Sequence, residues 1–400
     1  MFRFKEDAIV AKNKGRIIIG NQDTGNWINI SEKTYEKIKL DLSIQNKCQL
    51  LNKYSNLIKA GIIEQNVQKL NDTNVESLMI AITNKCNLQC LHCGFEAGPN
   101  EEKGIETDII KKLIIENKFL KEITLTGGEP LLHPDFEELI DVLQNEFKGK
   151  KILMTNGTLI NNYNIKKIGT VFNSISISID GATRETCDKI RGNGVFDRVI
   201  ETIKNLHEVG IEDISLSMTI TDYNDQEEEK FIKLCENLDV EPIIRDLFLM
   251  GRAKKNKNLL ESKIKNLTSN ISEENFLEEC KKIKLNGKCN AGKKSLYVQY
   301  DKSLYPCPVA ATQSKFKMGT IDDEHIQLEN IVKVIDDNAG YKEFTKISPE
   351  KISPCSECIV NKFCWGCLQE YYTYIQDKTN FSGFCTLQKT NLMKTIWREK

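Results

Sequence analysis

The chain has 400 residues, 40% of them apolar, and its 56 Lys and Arg stand against 57 Asp and Glu for a formal net charge of −1. That length builds two or three cored domains, and the charge balance leaves no basic excess with which to hold nucleic acid. The start, from Met1 to Asp7, is too charged for a signal peptide, and no apolar run approaches the ~20 residues that span a bilayer, so a cytoplasmic protein with neither a nucleic-acid nor a membrane partner is expected.

In chain order, residues 8–10, 16–19 and 27–30 read as short strands. Ser31 reads as the N-cap of a helix running to residue 42, and a second helix closes near Ala60-Gly61. Strands followed by helices over 1–75 suggest a small winged-helix-like module. From 76 to 250, β-rich runs at 78–83, 122–126, 151–155, 174–179, 214–220 and 242–247 alternate with amphipathic helices. The helices show periodic apolar positions such as Ile109, Leu113 and Ile114, or Phe136, Leu139, Ile140 and Leu143, and Asp225 with Glu228 reads as a capping box. Six such units predict an α/β fold, a partial (β/α)6 TIM-like barrel, whose ligands sit beyond the carboxyl ends of the strands. Residues 251–285 are Lys- and Asn-rich, then helical over 273–284, and read as a solvated bridge with no binding role. From 286 to 400 a hairpin with its turn at Asp301-Lys302-Ser303 leads into a Cys-rich tail.

Fourteen cysteines in a large chain without a signal peptide point to a reducing compartment and metal ligation. Cys48, Cys187, Cys235 and Cys280 are scattered and read as small core hydrophobes. Cys86, Cys90 and Cys93 form a C-x3-C-x2-C group directly after the first barrel strand. Three thiolates at this spacing can hold three irons of a cubane and leave the fourth free to chelate a substrate, although the spacing alone also occurs by chance or in a zinc knuckle. At the end of the second strand stands Gly127-Gly128-Glu129-Pro130, where the glycines permit a bend and close approach and Glu129 offers a carboxylate to an ammonium group.

These two motifs resemble those of the radical S-adenosylmethionine superfamily over about residues 76–250. The resemblance implies a 4Fe-4S cluster on the three loop cysteines, with the GGEP segment cradling the methionyl amine and Glu129 accepting from it. It also implies that electron transfer from the cluster cleaves S-adenosylmethionine, so that a 5'-deoxyadenosyl radical takes hydrogen from the substrate. Asn156, after the third strand, and Ser178, on one face of the fourth with Ser176 and Asp180, match cosubstrate positions; Arg191 matches an Arg that neutralises the methionine carboxylate. His92 falls where the family often has an aromatic beside the adenine, and is read as a spacer. His133, His207 and His325 are unassigned, and no general base can be named.

The remaining cysteines resemble the SPASM extension of peptide- and protein-modifying members, which carries two auxiliary iron-sulfur clusters. By position, Cys355, Cys358, Cys364 and Cys385 would close one 4Fe-4S cluster and Cys289, Cys307 and Cys367 would hold the other. The second set is one ligand short: Cys280 completes it, or an iron stays open to a substrate thiolate, or the cluster is smaller. This chain has Lys302 where the family usually has Gly, and only Trp365-Gly366 between the last Cys pair; a zinc site on Cys355, Cys358, Cys364 and Cys367 is the plain alternative.

Residues 1–75 are similar in order and size to the leader-binding domains of ribosomal-peptide maturases, which add a leader peptide as an extra strand; a fold-stabilising cap is the alternative. The resemblances together imply a maturase that installs thioether links from a Cys sulfur to a carbon of a ribosomally made precursor with its leader, using an external electron donor such as a flavodoxin or ferredoxin. Alternatives are a carbon-carbon or carbon-oxygen cross-linking maturase, a sulfatase-maturing-type enzyme (disfavoured because Pro308 replaces that branch's Asp) and a non-catalytic iron-sulfur peptide-binding protein.

Overall fold

A computed structural model describes residues 2–5, 8–44, 47–65, 75–260, 283–285, 289–321, 328, 335–365, 367–376 and 378–397. The helix expected over 273–284 lies outside these but for its last two residues, as do Cys280 and His325. The chain divides into two compact units: Met1–Asp72 with Ile264–Cys289 and Thr345–Lys400, and Thr73–Lys263 with Asn290–Phe344.

In the first unit, β1 (Phe2–Phe4) pairs antiparallel with β5 (Ile63–Gln65), and β2 (Ile9–Asn13), β3 (Arg16–Asn21) and β4 (Asn26–Ser31) form an antiparallel meander. The Ser31 hydroxyl accepts from the Thr34 N–H at 3.1 Å and so caps the helix Glu32–Ile44, as its sequence position predicts. The β1–β5 pair escaped the sequence reading because three-residue strands carry no measurable alternation.

Ile17, Ile18 and Ile19 are all fully buried on β3, so both faces of this central strand are covered. Ile18 packs in a cluster with Leu285, Val360, Phe363, Leu392, Ile396 and Trp397, and the Trp27 and Phe363 rings meet edge to face at 5.2 Å. Trp27 Nε1 donates to Ile283 O and Asn29 Nδ2 to Ile396 O, both at 2.7 Å. One core therefore joins the N-terminal sheet to the C-terminal Cys-rich segment.

The second unit is built on β6 (Ser77–Thr83), β7 (Glu122–Gly127), β8 (Lys150–Thr155), β9 (Ser174–Ser178), β10 (Ile214–Thr219) and β11 (Glu241–Arg245). They are parallel, neighbours in sequence and neighbours in the sheet, which is the expected partial TIM-like arrangement. Leu78, Ile80, Ile123, Leu125, Leu153, Ile175, Ile177, Leu216 and Met218 fill its core, and the helix Phe136–Glu146 buries Phe136, Leu139, Ile140 and Leu143, the predicted face.

Beyond β6 the sheet continues through β12 (Ser295–Val298), parallel to it, then β13 (Ser303–Tyr305) and β14 (Gly319–Thr320). The predicted hairpin thus extends the barrel sheet. At its turn Lys302 takes φ +69°, a left-handed conformation that favours glycine, so the family's preference there has a backbone cause.

Three local expectations differ. Ile110 rather than Ile109 is a core position of the helix Thr107–Glu116. The helix Glu228–Asn237 has no Asp225 cap; the adjacent Glu227 instead accepts from Ala182 N and from Thr186 Oγ1, using the helix start to hold the loop after β9. Cys187 and Cys235 are buried, as expected, whereas Cys48 is exposed on the surface of Lys47–Lys53, where its thiol has no core to fill. No helix among the described residues is long and apolar enough to cross a membrane.

Candidate active site

The loop carrying Cys86, Cys90 and Cys93 leaves the carboxyl end of β6 and is fastened to its neighbours by backbone. Gly128 N donates to Thr83 O at 2.7 Å, Glu129 N to Lys85 O at 2.8 Å, Cys86 N to Gly98 O at 3.0 Å and Leu91 N to Ile190 O at 3.0 Å. The two glycines are required by this contact. Gly127 has φ +147°, and a Cβ there would stand 2.3 Å from Thr83 O; one on Gly128 would stand 2.5 Å from Lys85 O. Close approach to the cysteine loop thus explains the Gly-Gly pair without any ligand.

All three loop cysteines line one cavity of about 250 Å³, at the carboxyl ends of the strands, together with Gly127, Gly128, Asn156, Ser178 and Arg191. Glu129 and Pro130 are not on its wall. Glu129 is fully buried, and its carboxylate accepts from Thr155 Oγ1 (2.8 Å), Asn156 N (2.8 Å) and Leu131 N (3.2 Å). It braces β7 against the end of β8. Burial pushes its pKa up to about 7, against the pull of those three donors. Asn156 places its own amide toward the loop, donating to Asn87 Oδ1 at 2.9 Å and to Cys86 Sγ at 3.7 Å.

Arg191 is already matched with an anion. Its Nε lies 2.6 Å from Asp180 Oδ2, and His92 Nε2 lies 3.0 Å from the same oxygen. Asp180 is fully buried, which alone would raise its pKa, but Arg191 and His92 together hold it below the ordinary carboxylate range. Thr219 N donates to Asp180 Oδ1 at 2.7 Å, and Arg191 Nη1 comes within 4.0 Å of Cys90 Sγ. His92 is thereby more than a spacer: it ties the cysteine loop to the end of β9.

The sequence reading missed the underside of the loop. Arg252 N donates to Cys93 O at 2.9 Å, its Nε to Cys90 O at 2.9 Å and its Nη2 to Ala97 O at 2.6 Å, while Asn256 Nδ2 donates to Leu91 O at 2.9 Å. The short helix Gly251–Lys255 that carries Arg252 opens the segment taken for a bridge, where a run of Lys and Asn hides an Arg that reaches the cysteine loop. Arg245, at the end of β11, also reaches the cavity, its Nε donating to Ser217 Oγ at 2.7 Å.

The donor set fits an iron-sulfur cluster of the expected kind. Three sulfurs share a wall with polar groups from five strand ends, and amide and guanidinium N–H groups face Cys86 and Cys90. Burial pushes the Cys86 thiol up to about 12 and raises that of Cys90, so metal loading would release protons from both.

In the first unit, Cys355, Cys358, Cys364 and Cys385 line a second cavity of about 50 Å³, with Trp365 and Phe381 among its walls. Cys367 does not line it, and Cys289 is exposed. Cys307 accepts from Ala310 N at 3.4 Å in the second unit. Among the described residues, no three Cys, His, Asp or Glu side chains stand close enough to hold a single metal ion, so it is the shared cavities that group these thiols.

Parallel β/α units with a three-cysteine loop at their carboxyl ends define the class, and residues 80–235 match the family model of the Radical SAM superfamily, so the chain contains a radical SAM domain. Over 173 residues it is 34% identical to "Probable GTP 3',8-cyclase" of Saccharolobus islandicus, a match covering 42% of this chain and 56% of that protein. Over 156 residues it is 33% identical to "Mycofactocin maturase MftC" of Mycobacterium tuberculosis, covering 38% of this chain and 40% of that one. The chain thus spans about half the length of the curated relatives it matches. Streptococcus suis SuiB bound to S-adenosylmethionine superposes with a TM-score of 0.56 at 16% identity, covering 94% of this chain and 97% of that one. The protein anSMEcpe with bound AdoMet and Cp18Cys peptide gives a TM-score of 0.54 at 19% identity, covering 81% and 100%. At these identities the likeness is one of fold.

Proposed function

We propose that this chain is a radical S-adenosylmethionine peptide maturase that installs thioether links, from a Cys sulfur to a carbon, in a ribosomally made precursor. The observation that carries the reading is the convergence of Cys86, Cys90 and Cys93 on one polar cavity with Gly127, Gly128, Asn156, Ser178 and Arg191. The peptide substrate is supported by fold likeness over 94% of the chain to a structure described as SuiB bound to precursor peptide SuiA, well beyond the radical SAM domain alone.

With its 4Fe-4S cluster and S-adenosylmethionine bound, such a site supplies one-electron chemistry that removes a hydrogen atom from the substrate. The chain's own residues hold the loop and shape the cavity. Asn156 and Arg191 direct N–H groups at Cys86 and Cys90, Arg252 fixes the loop by three backbone carbonyl contacts, and Ser178 and Arg245 offer polar groups to the cosubstrate or substrate. Because Asp180 already pairs with Arg191, any carboxylate that Arg191 receives shares that cation.

In this reading residues 1–75 grip the leader, 76–250 are the radical core, 251–285 join it to the tail, and 286–400 are the SPASM region. Cys355, Cys358, Cys364 and Cys385 hold one auxiliary cluster, supported by their common cavity, and Cys289, Cys307 and Cys367 hold the other on the strength of the family pattern. A flavodoxin or ferredoxin supplies electrons. The test is anaerobic incubation of cluster-loaded full chain with S-adenosylmethionine, reductant and a Cys-rich precursor encoded beside it, followed by intact mass and fragmentation. Loss of two hydrogens per link with the Cys made resistant to alkylation is the expected result; the same loss with every Cys still alkylatable replaces thioether formation by carbon-carbon or carbon-oxygen linkage.

A further inference from the structure

The cluster of buried side chains behind Cys355 contains one polar atom without a role. Tyr371 is fully buried on the helix Leu368–Gln376, and its hydroxyl finds no nitrogen or oxygen partner among the described residues. It packs with Cys355, Trp365 and Phe381, and Ile352, Cys364, Ile375 and Cys385 lie against the same group, so the side chain sits among apolar groups and thiols. The Trp365 ring meets Tyr371 edge on at 5.2 Å and holds it in place. A buried hydroxyl left unpaired is destabilising, so a Phe would serve better here if Tyr371 were only filling space.

The partner it does face is the Cys355 sulfur, which it packs against and on which the Trp365 side chain also acts as a hydrogen-bond donor. A neutral thiol is a poor acceptor, but an iron-bound thiolate is a good one, and hydrogen bonds to cluster sulfurs stabilise the more negative, reduced state. We propose that Tyr371 is a positioning residue that donates an O–H···S hydrogen bond to iron-bound Cys355 and raises the reduction potential of the cluster held by Cys355, Cys358, Cys364 and Cys385. The proposal rests on the assignment of that cluster. Reduction takes one electron from the added reductant, and the tyrosine keeps its proton throughout.

The test uses the full chain with Cys86, Cys90 and Cys93 changed to Ala, so that auxiliary iron is read alone, and follows redox titration by electron paramagnetic resonance. Iron content that does not fall on Cys385→Ala removes the cluster assignment itself. With that assignment standing, Tyr371→Phe is expected to retain iron and shift the midpoint to more negative potential; retained iron with an unmoved midpoint overturns the proposal. Should Tyr371→Phe lose its iron, 3-fluorotyrosine placed at 371, a stronger donor of nearly the same shape, decides the matter. It is expected to move the midpoint positive, and an unmoved midpoint overturns the role.

Discussion

Asp180 shows how far one buried carboxylate organises the site. It faces Arg191 and His92 at once and takes the Thr219 N–H, so three segments that approach the cavity meet on its two oxygens. Asp180→Asn would leave Arg191 buried without an anion, and a cost of about 3–5 kcal/mol is expected. Urea unfolding should register that loss together with a drop in iron bound at Cys86, Cys90 and Cys93. An unchanged unfolding midpoint would mean that the cation is carried by other groups. Glu129 makes a pH prediction of opposite sign from a salt-bridged acid. Its folded pKa of about 7 lies above the ordinary 4.5, so the folded state holds the proton more tightly than the unfolded chain. Its contribution is greatest below pH 4.5 and is lost as pH rises to 7, by about 3 kcal/mol in all. Glu129→Gln should flatten that slope in urea unfolding of metal-free protein, and an equally steep slope in the variant would assign it elsewhere.

At the scale of elements, six barrel strands and the helix capped by Ser31 were legible because long alternating or buried runs and a capping side chain are local signals. So was the group of cysteines around the first cavity, since loop position after β6 follows from the strand assignment. What stayed hidden depends on contacts distant in sequence. Nothing near Arg252 announces that it will bind the carbonyls of Cys90 and Ala97, and nothing in Glu129 tells that its carboxylate turns inward to Thr155 and Asn156. The union of β3 and β4 with the segment from Val360 to Phe363 is of the same kind. Phe363 is 8% exposed and sits between Cys358 and Cys364, so Phe363→Ala is expected to cost about 3–5 kcal/mol and to act on both ends of the chain. Amide exchange at Ile17, Ile18 and Ile19 should quicken in that variant, whereas exchange there at the parental rate would show that the N-terminal sheet stands without the tail.

For the whole molecule, the radical SAM domain supplies a cavity at the carboxyl ends of its strands, and the cysteine-rich tail folds into the unit that holds the N-terminal sheet. A site of this kind is useful only if the loop cysteines, the Gly-Gly approach and the polar strand ends act together, and that is the claim to test first. Cluster-loaded full chain, incubated anaerobically with S-adenosylmethionine and reductant, should release 5'-deoxyadenosine, and the Cys86→Ala chain should release none above background. Absence of 5'-deoxyadenosine from iron-replete parental protein, or equal release from the Cys86→Ala chain, would contradict the account.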